Sequence, residues 1–184
     1  EHATVQPVRL TDEYGPVVVW PLPFIKPAHV RAALWESDVS TYTDALAAAV
    51  AAMPVDPGER NVLVCHQFVT GAERSESEEV SVGGLDNVDA AVFAEFDYVA
   101  LGHLHRAQAI GRETVRYCGT PLPYSFSEAG DAKSVTLAEL GPKGTLRVTA
   151  VPLTPLRQLR ELRGAYQQLT LRKNYEGTAT GDYL

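Results

Sequence analysis

Two continuous runs of apolar residues, each leading directly to a histidine, constrain the fold of this chain more than any other feature. NVLVCHQF at 61–68 contains His66, and DYVAL at 97–101 is followed by Gly102 and His103. Short apolar runs without alternation are typical of strands buried on both faces of a parallel sheet. The sequence therefore predicts an α/β fold in which two neighbouring strands end at histidines.

The rest of the pattern predicts one clear helix and several further strands. Residues 40–53 favour a helix because Ser40 or Thr41 can cap it, alanine dominates it, and Pro54 follows its end. The other predicted elements are strands at 1–10, 16–20, 107–111, 114–118, 133–140 and 145–151, a short helix at 88–96, and loops at 21–27 and 70–87. This order indicates a mixed-sheet α/β sandwich.

Composition excludes some classes of function. The chain has 184 residues and a formal net charge of −7, which argues against nucleic-acid binding through a broad basic surface. It does not exclude chemistry on phosphates, because metal ions neutralise phosphate locally. No apolar stretch reaches 18 residues, so we expect no membrane association. The two cysteines, Cys65 and Cys118, are expected to be reduced thiols, which indicates a cytoplasmic protein.

Three of the five histidines follow predicted buried strands, where loops gather and sites form. His103 and His105 are one residue apart, so in extended backbone both side chains point the same way. With His66 at a neighbouring strand end, they are candidate metal ligands. The alternatives are ordinary histidines hydrogen-bonded at the edge of a core, or a single zinc site with three histidine ligands.

Longer segments around these histidines resemble a known family. VALGHLHRAQ, RYCGTPLPYSFSE, VLVCHQFVTGAERSESE and VGGLDNVDAAVFAEFDYVALGH are similar to motifs of the SbcD family. These are bacterial nuclease subunits of the calcineurin-like metallophosphoesterases. The resemblance runs from about Val17 to Gly164. Gly-His-x-His alone occurs in all metallophosphoesterases, whereas RYCGTPLPYSFSE is more specific to the nuclease branch.

The resemblance implies a fold, a metal centre and an activity. The fold would be the α/β/β/α sandwich of metallophosphoesterases, present only as its second half over 1–153. Residues 154–184 would connect toward a DNA-binding capping region. Two Mn²⁺ ions would serve phosphodiester hydrolysis in DNA, as exonuclease and endonuclease, during repair and recombination. His66 and His103 would bind one ion, and His105 the other. The implied partners are DNA, an SbcC-like SMC-type ATPase and a second copy of the nuclease subunit.

The chain departs from the family pattern in one respect. The early motifs Asp-x-His, Gly-Asp-x-x-Asp and Gly-Asn-His-Asp, which would supply the carboxylates and remaining ligands, do not occur in it. We therefore expect no complete catalytic set here and an inactive fragment. Arg106, Tyr124 and Ser125 are candidate contacts to DNA or phosphate. Arg106 could equally be an ordinary solvated residue, and Tyr124 and Ser125 could belong to a structural loop.

Two other functions remain open at this point. One is a metallophosphoesterase that acts on small molecules, such as a phosphatase or a cyclic-nucleotide phosphodiesterase, through the same histidines. The other is a non-catalytic fragment that dimerises or binds a partner. The acidic segment around Glu73–Glu79 is interpreted as a solvated, mobile insertion in a surface loop.

Overall fold

The chain folds around one six-stranded mixed sheet. The computed structural model describes residues 5–35, 38–73, 87–177 and 181–182. Within them the strands are β1 (Val8–Asp12), β2 (Gly15–Leu22), β3 (Arg60–His66), β4 (Phe68–Val69), β5 (Asn87–Val88), β6 (Tyr98–Gly102), β7 (Gln108–Ile110), β8 (Arg112–Tyr117), β9 (Ser134–Leu140) and β10 (Leu146–Pro152). The helices are α1 (Pro27–Leu34), α2 (Tyr42–Ala51), α3 (Tyr166–Leu169) and α4 (Arg172–Tyr175), with 3-10 turns at Ala90–Phe93 and Phe126–Glu128.

The order of strands brings the two histidine-bearing strands together. The large sheet runs β1, β2, β3, β6, β8, β7, with β2, β3, β6 and β8 parallel to one another. At one edge β1 pairs antiparallel with β2, and at the other edge β7 pairs antiparallel with β8. β9 and β10 form a separate antiparallel hairpin. In the β3–β6 register, His66 lies opposite Gly102, so the carboxyl ends of these strands meet at one edge of the sheet.

One face of the sheet packs against α1 and α2. Its side chains include Trp20, Leu63 and Tyr117, all fully buried and in one apolar cluster with Leu46 of α2. α2 begins with a capping box, in which Thr41 accepts a hydrogen bond from the Asp44 amide and the Asp44 carboxylate accepts one from Thr41. These hydrogen bonds lower the pKa of Asp44 to about 2.

The opposite face of the sheet is partly open. Pro21, Val64 and Ala100 lie side by side across β2, β3 and β6. Val64 is 43% exposed and Pro21 is also exposed, although both belong to parallel strands in the middle of the sheet. Parallel strands are normally covered on both faces, so this face has the character of an interior surface.

The α/β class and the mixed sheet predicted from the sequence are confirmed, and the arrangement is consistent with part of a phosphoesterase-type sandwich. The helix predicted over 40–53 is α2, and the apolar run at 61–68 forms β3 and β4. Sequence reasoning missed α1, because it assigned no element to residues 28–39 and placed Pro27 at the end of the predicted loop at 21–27. Pro27 instead occupies the first turn of the helix, where a missing amide proton costs nothing.

Three other expectations have different outcomes. Most of the acidic insertion, residues 74–86, lies outside the described residues. The boundary near 153 stays a prediction; β10 ends at Pro152, and the side chains of α3 are exposed. In the part of the chain that the structure describes, no helix has the length and apolar character needed to cross a bilayer.

Candidate metal and nucleotide site

His66 and His103 lie together at the carboxyl edge of the sheet. His66 is the last residue of β3, and His103 follows the last residue of β6. Their ring centroids are 5.3 Å apart, and the ring planes are nearly perpendicular, at 85°. We call these two residues the histidine pair. Their proximity follows from the pairing of parallel strands, because each side chain is delivered by the end of its own strand.

The backbone around Gly102 leaves room for the ring of His66. A Cβ atom on Gly102 would lie 2.8 Å from Nδ1 of His66, so only glycine leaves room for that ring. The next residue, His103, has a φ of 107°, a region that residues with a Cβ atom rarely adopt. Such strain costs about 1–3 kcal/mol and persists only where the surrounding structure imposes it.

Aromatic side chains surround the histidine pair. Phe24 lies nearly parallel to the ring of His103, at 8° and 6.5 Å between centroids, and contacts His66 edge-on at 6.3 Å. Phe68 lies 6.3 Å from His103. Sequence reasoning did not single out Phe24. The available signal was its position just after β2, which ends at the same edge of the sheet as β3 and β6.

The neighbours of His105 differ from those of the histidine pair. Its Nδ1 lies 3.0 Å from Oε1 of Glu128, a side chain with no solvent exposure. Ser125 Oγ donates to the same carboxylate at 3.0 Å, and Lys133 Nζ donates to its other oxygen at 2.7 Å. The ring centroid of Tyr124 is 5.6 Å from that of His105. We call His105, Glu128, Lys133 and Ser125 the His105 network. Sequence reasoning assigned no role to Glu128 or Lys133, although Glu128 ends the quoted segment RYCGTPLPYSFSE.

The backbone of His105 is also held on several sides. Its carbonyl oxygen accepts hydrogen bonds from the amide of Thr120 at 3.0 Å and from Lys133 Nζ at 3.2 Å. Gly119, at φ 76°, packs so closely here that a Cβ atom would lie 2.8 Å from both the His105 oxygen and the Ala107 nitrogen. The segment after β8 therefore braces the turn that carries His105.

The three candidate DNA contacts differ in their environments. Arg106 forms ion pairs at 3.2 Å with Asp131 and with Glu73, and the hydrogen bond from Arg106 to Asp131 raises the pKa of Arg106. Its charge is therefore already partly neutralised. Tyr124 is exposed beside His105, whereas the Ser125 hydroxyl is engaged within the His105 network. Contact of these three residues with DNA or phosphate stays a prediction.

The histidine pair offers two nitrogen donors that a metal ion could use. Imidazole nitrogens are common ligands of divalent transition metals, whereas Mn²⁺ prefers oxygen ligands, so two imidazoles fit Mn²⁺ only together with carboxylate or water ligands. Among the described residues, no three His, Cys, Asp or Glu side chains are grouped so that they could hold a metal ion. His105 is thus not brought into one group with the histidine pair. The described donors fit a partial site, to which further ligands would have to be added.

Comparison with known proteins shows what the chain is similar to. No family model matches the chain. Over 160 residues, or 85% of its length, the chain is 33% identical to the SbcD subunit of the nuclease SbcCD from Staphylococcus epidermidis (strain ATCC 12228 / FDA PCI 1200). The chain covers 43% of the length of that relative. The resemblance found in the sequence motifs is therefore confirmed: the chain is similar to part of an SbcD-type nuclease subunit.

Proposed function

We propose that this chain is the second half of the phosphoesterase domain of an SbcD-type nuclease, which hydrolyses phosphodiester bonds in DNA with Mn²⁺. The complete protein acts as an exonuclease and endonuclease in DNA repair and recombination. Its partners are an SMC-type ATPase, DNA and a second nuclease subunit. The protein is cytoplasmic.

The observation that carries this proposal is the histidine pair at the meeting point of two parallel strands. The rings lie 5.3 Å apart in a chain that is 33% identical to a nuclease subunit over 160 residues. Sheet edges of this kind are where α/β proteins bind ligands. Nitrogen ligands on two strand ends have little freedom to move apart, which favours metal binding.

The chain's own residues have distinct tasks in this proposal. His66 and His103 would hold one metal ion, and His105 would hold the other. Bound metal ions supply Lewis acidity at the phosphate. Phe24 and Phe68 restrict the ring of His103 and shield it from water. Tyr124, exposed beside His105, offers a flat surface to a nucleotide, and Arg106 offers a cation to a phosphate.

We further propose that the chain by itself is inactive. Its described residues contain no carboxylate grouped with the histidines in a set that could hold metal. Manganese ions bound there would need carboxylate or other oxygen ligands, which the histidines alone do not provide.

The test is Mn²⁺-dependent cleavage of duplex DNA by the full-length protein with its natural sequence. His103→Ala and His105→Ala are expected to reduce cleavage to the level of a metal-free control, with unchanged circular dichroism. The matched control is His29→Ala, since His29 is an exposed histidine on α1 and belongs to no proposed ligand set, so this variant should retain full activity. Retained cleavage in both site variants would refute the proposal.

The same assay separates the alternatives. Cleavage of a small phosphodiester such as bis-p-nitrophenyl phosphate, without cleavage of DNA, would favour a small-molecule metallophosphoesterase. Absence of Mn²⁺ binding that depends on His66, His103 or His105, measured by calorimetry, would favour a non-catalytic role.

A further inference from the structure

Two buried, oppositely charged side chains lie next to His105 but belong to no proposed ligand set. We propose that Glu128 and Lys133 are positioning residues that fix the tautomer and orientation of His105. In this arrangement Nδ1 carries the ring proton and Nε2 keeps its lone pair for a ligand. The inference rests on the proposed function only where it names that ligand as a metal ion.

The tautomer follows from the charge state of Glu128. Its carboxylate has no solvent exposure, lies 2.7 Å from the ammonium group of Lys133, and accepts a hydrogen bond from Ser125 at 3.0 Å. A carboxylate paired with an ammonium group is ionised, and an ionised carboxylate can only accept hydrogen bonds. The 3.0 Å contact with Nδ1 of His105 is therefore a hydrogen bond that the ring donates.

The orientation follows from the second set of contacts. Lys133 donates to Glu128 and also to the backbone oxygen of His105 at 3.2 Å, so one ammonium group connects the main chain of His105 to the partner of its ring. Rotation of the ring would break the bond with Glu128 and leave a buried carboxylate with fewer donors. The His105 side chain still has 21% exposure, so a ligand can reach the ring from solvent.

Burial of an ion pair alone does not establish this role. Such pairs often stabilise a protein no better than apolar residues of the same volume, and their benefit can lie in specifying one geometry. A hydrogen bond from the second ring nitrogen of a ligating histidine to a carboxylate is a recurrent way to fix its tautomer. A purely structural pair would brace the loop without controlling the proton of His105, and this difference can be measured.

The first measurement is the tautomer of His105 in the full-length protein labelled with ¹⁵N-histidine. Long-range ¹H–¹⁵N spectra distinguish a protonated ring nitrogen from an unprotonated one, and His105→Gln assigns the signals. We expect the proton on Nδ1 in the unsubstituted protein at a pH where the ring is neutral. A proton on Nε2 would overturn the proposal without any need for a further variant.

The second measurement uses Glu128→Gln, which keeps the shape of the side chain. Its amide oxygen would turn to Lys133 and its N–H to the ring, so the proton of His105 should move toward Nε2. Glu113→Gln is the matched control, since Glu113 is an exposed carboxylate paired with Arg116, and it should leave the tautomer unchanged. An unchanged tautomer in folded Glu128→Gln would also overturn the proposal.

Titration with Mn²⁺ alone then separates this proposal from the proposed function. Glu128→Gln should weaken Mn²⁺ binding by about 10- to 100-fold in calorimetry, as loss of such a supporting hydrogen bond usually does. If the tautomer changes while Mn²⁺ affinity does not, the positioning role stands and the metal role of His105 is refuted. If neither changes, the positioning role itself is refuted.

Discussion

The histidine pair and the His105 network contain His103 and His105, which are one residue apart in sequence, but hold their imidazoles by different means. His66 and His103 are flanked by Phe24 and Phe68, and Gly102 leaves room for the ring of His66. His105 is held by a buried carboxylate and a buried ammonium group. Apolar packing is non-directional, and its stabilising free energy declines gradually when one contact is lost. A buried ion pair is directional, and removal of one partner destabilises the protein strongly because the other charge stays buried and unpaired. The two regions should therefore respond differently to substitution.

The largest expected effect comes from Lys133→Met, which removes the ammonium group and leaves Glu128 buried without its counter-ion. Removal of one partner from a buried pair costs about 3–5 kcal/mol. We expect that loss in the free energy of unfolding, measured by urea denaturation of the full-length protein. The matched control is Lys143→Met, since Lys143 pairs with Asp97 while 38% exposed, and such pairs contribute about 1 kcal/mol or less. Equal losses of unfolding free energy in the two variants would show that the buried ion pair responds to substitution no more strongly than an exposed one.

A smaller effect is expected on the aromatic side of the comparison. Phe24→Leu keeps an apolar side chain but removes the ring beside His103, and an aromatic pair contributes about 0.5–1.5 kcal/mol. The resonances of His66 and His103 should shift in NMR spectra, whereas those of His105 should not. Tyr166→Leu, at a highly exposed aromatic residue on α3, is the control and should shift none of them. A shift of His105 as large as that of His103 would show that the two regions are coupled.

The smallest expected effect concerns the reactivity of the two cysteine thiols. Cys65 precedes His66 and is buried, and burial raises the pKa of its thiol to about 12, whereas Cys118 is exposed. A thiol reagent at pH 8 should label Cys118 in the folded protein and Cys65 only after denaturation. The folded-state pKa of Cys65 lies above its unfolded value, so the protonated thiol stabilises the folded state. This contribution to the free energy of unfolding is fully present below about pH 8.5. That contribution should be lost as the pH rises toward 12. Rapid labelling of folded Cys118→Ser would contradict this assignment.

The sheet was predictable because its signal is local. Short continuous apolar runs such as NVLVC and YVAL favour strands inside a parallel sheet, and β3 and β6 formed where expected. The helix α1 was not predictable in the same way. Three prolines suggest irregular backbone, but one of them, Pro27, has a backbone angle that suits a first helical turn. Proline position relative to a helix start depends on tertiary packing, which residue type alone does not reveal.

Only the part of the site that lies at the ends of regular strands was predictable from the sequence. His66 and His103 were expected to meet because each ends a parallel strand, and they do. The expectation that His105 shares a side with His103 assumed extended backbone. The φ of 107° at His103 departs from that geometry, and the two rings have different neighbours. Glu128 is 23 residues from His105 along the chain, so no spacing rule connects them.

The strained backbone of His103 also has a consequence for attempts to make the protein more resistant to heat. Its φ of 107° is open to glycine, so a glycine there would relieve the torsional penalty. Such a replacement would delete the imidazole at the same time. Thermal robustness and nitrogen-donor chemistry thus oppose each other at this one residue, and an improvement in one is obtained only by giving up the other.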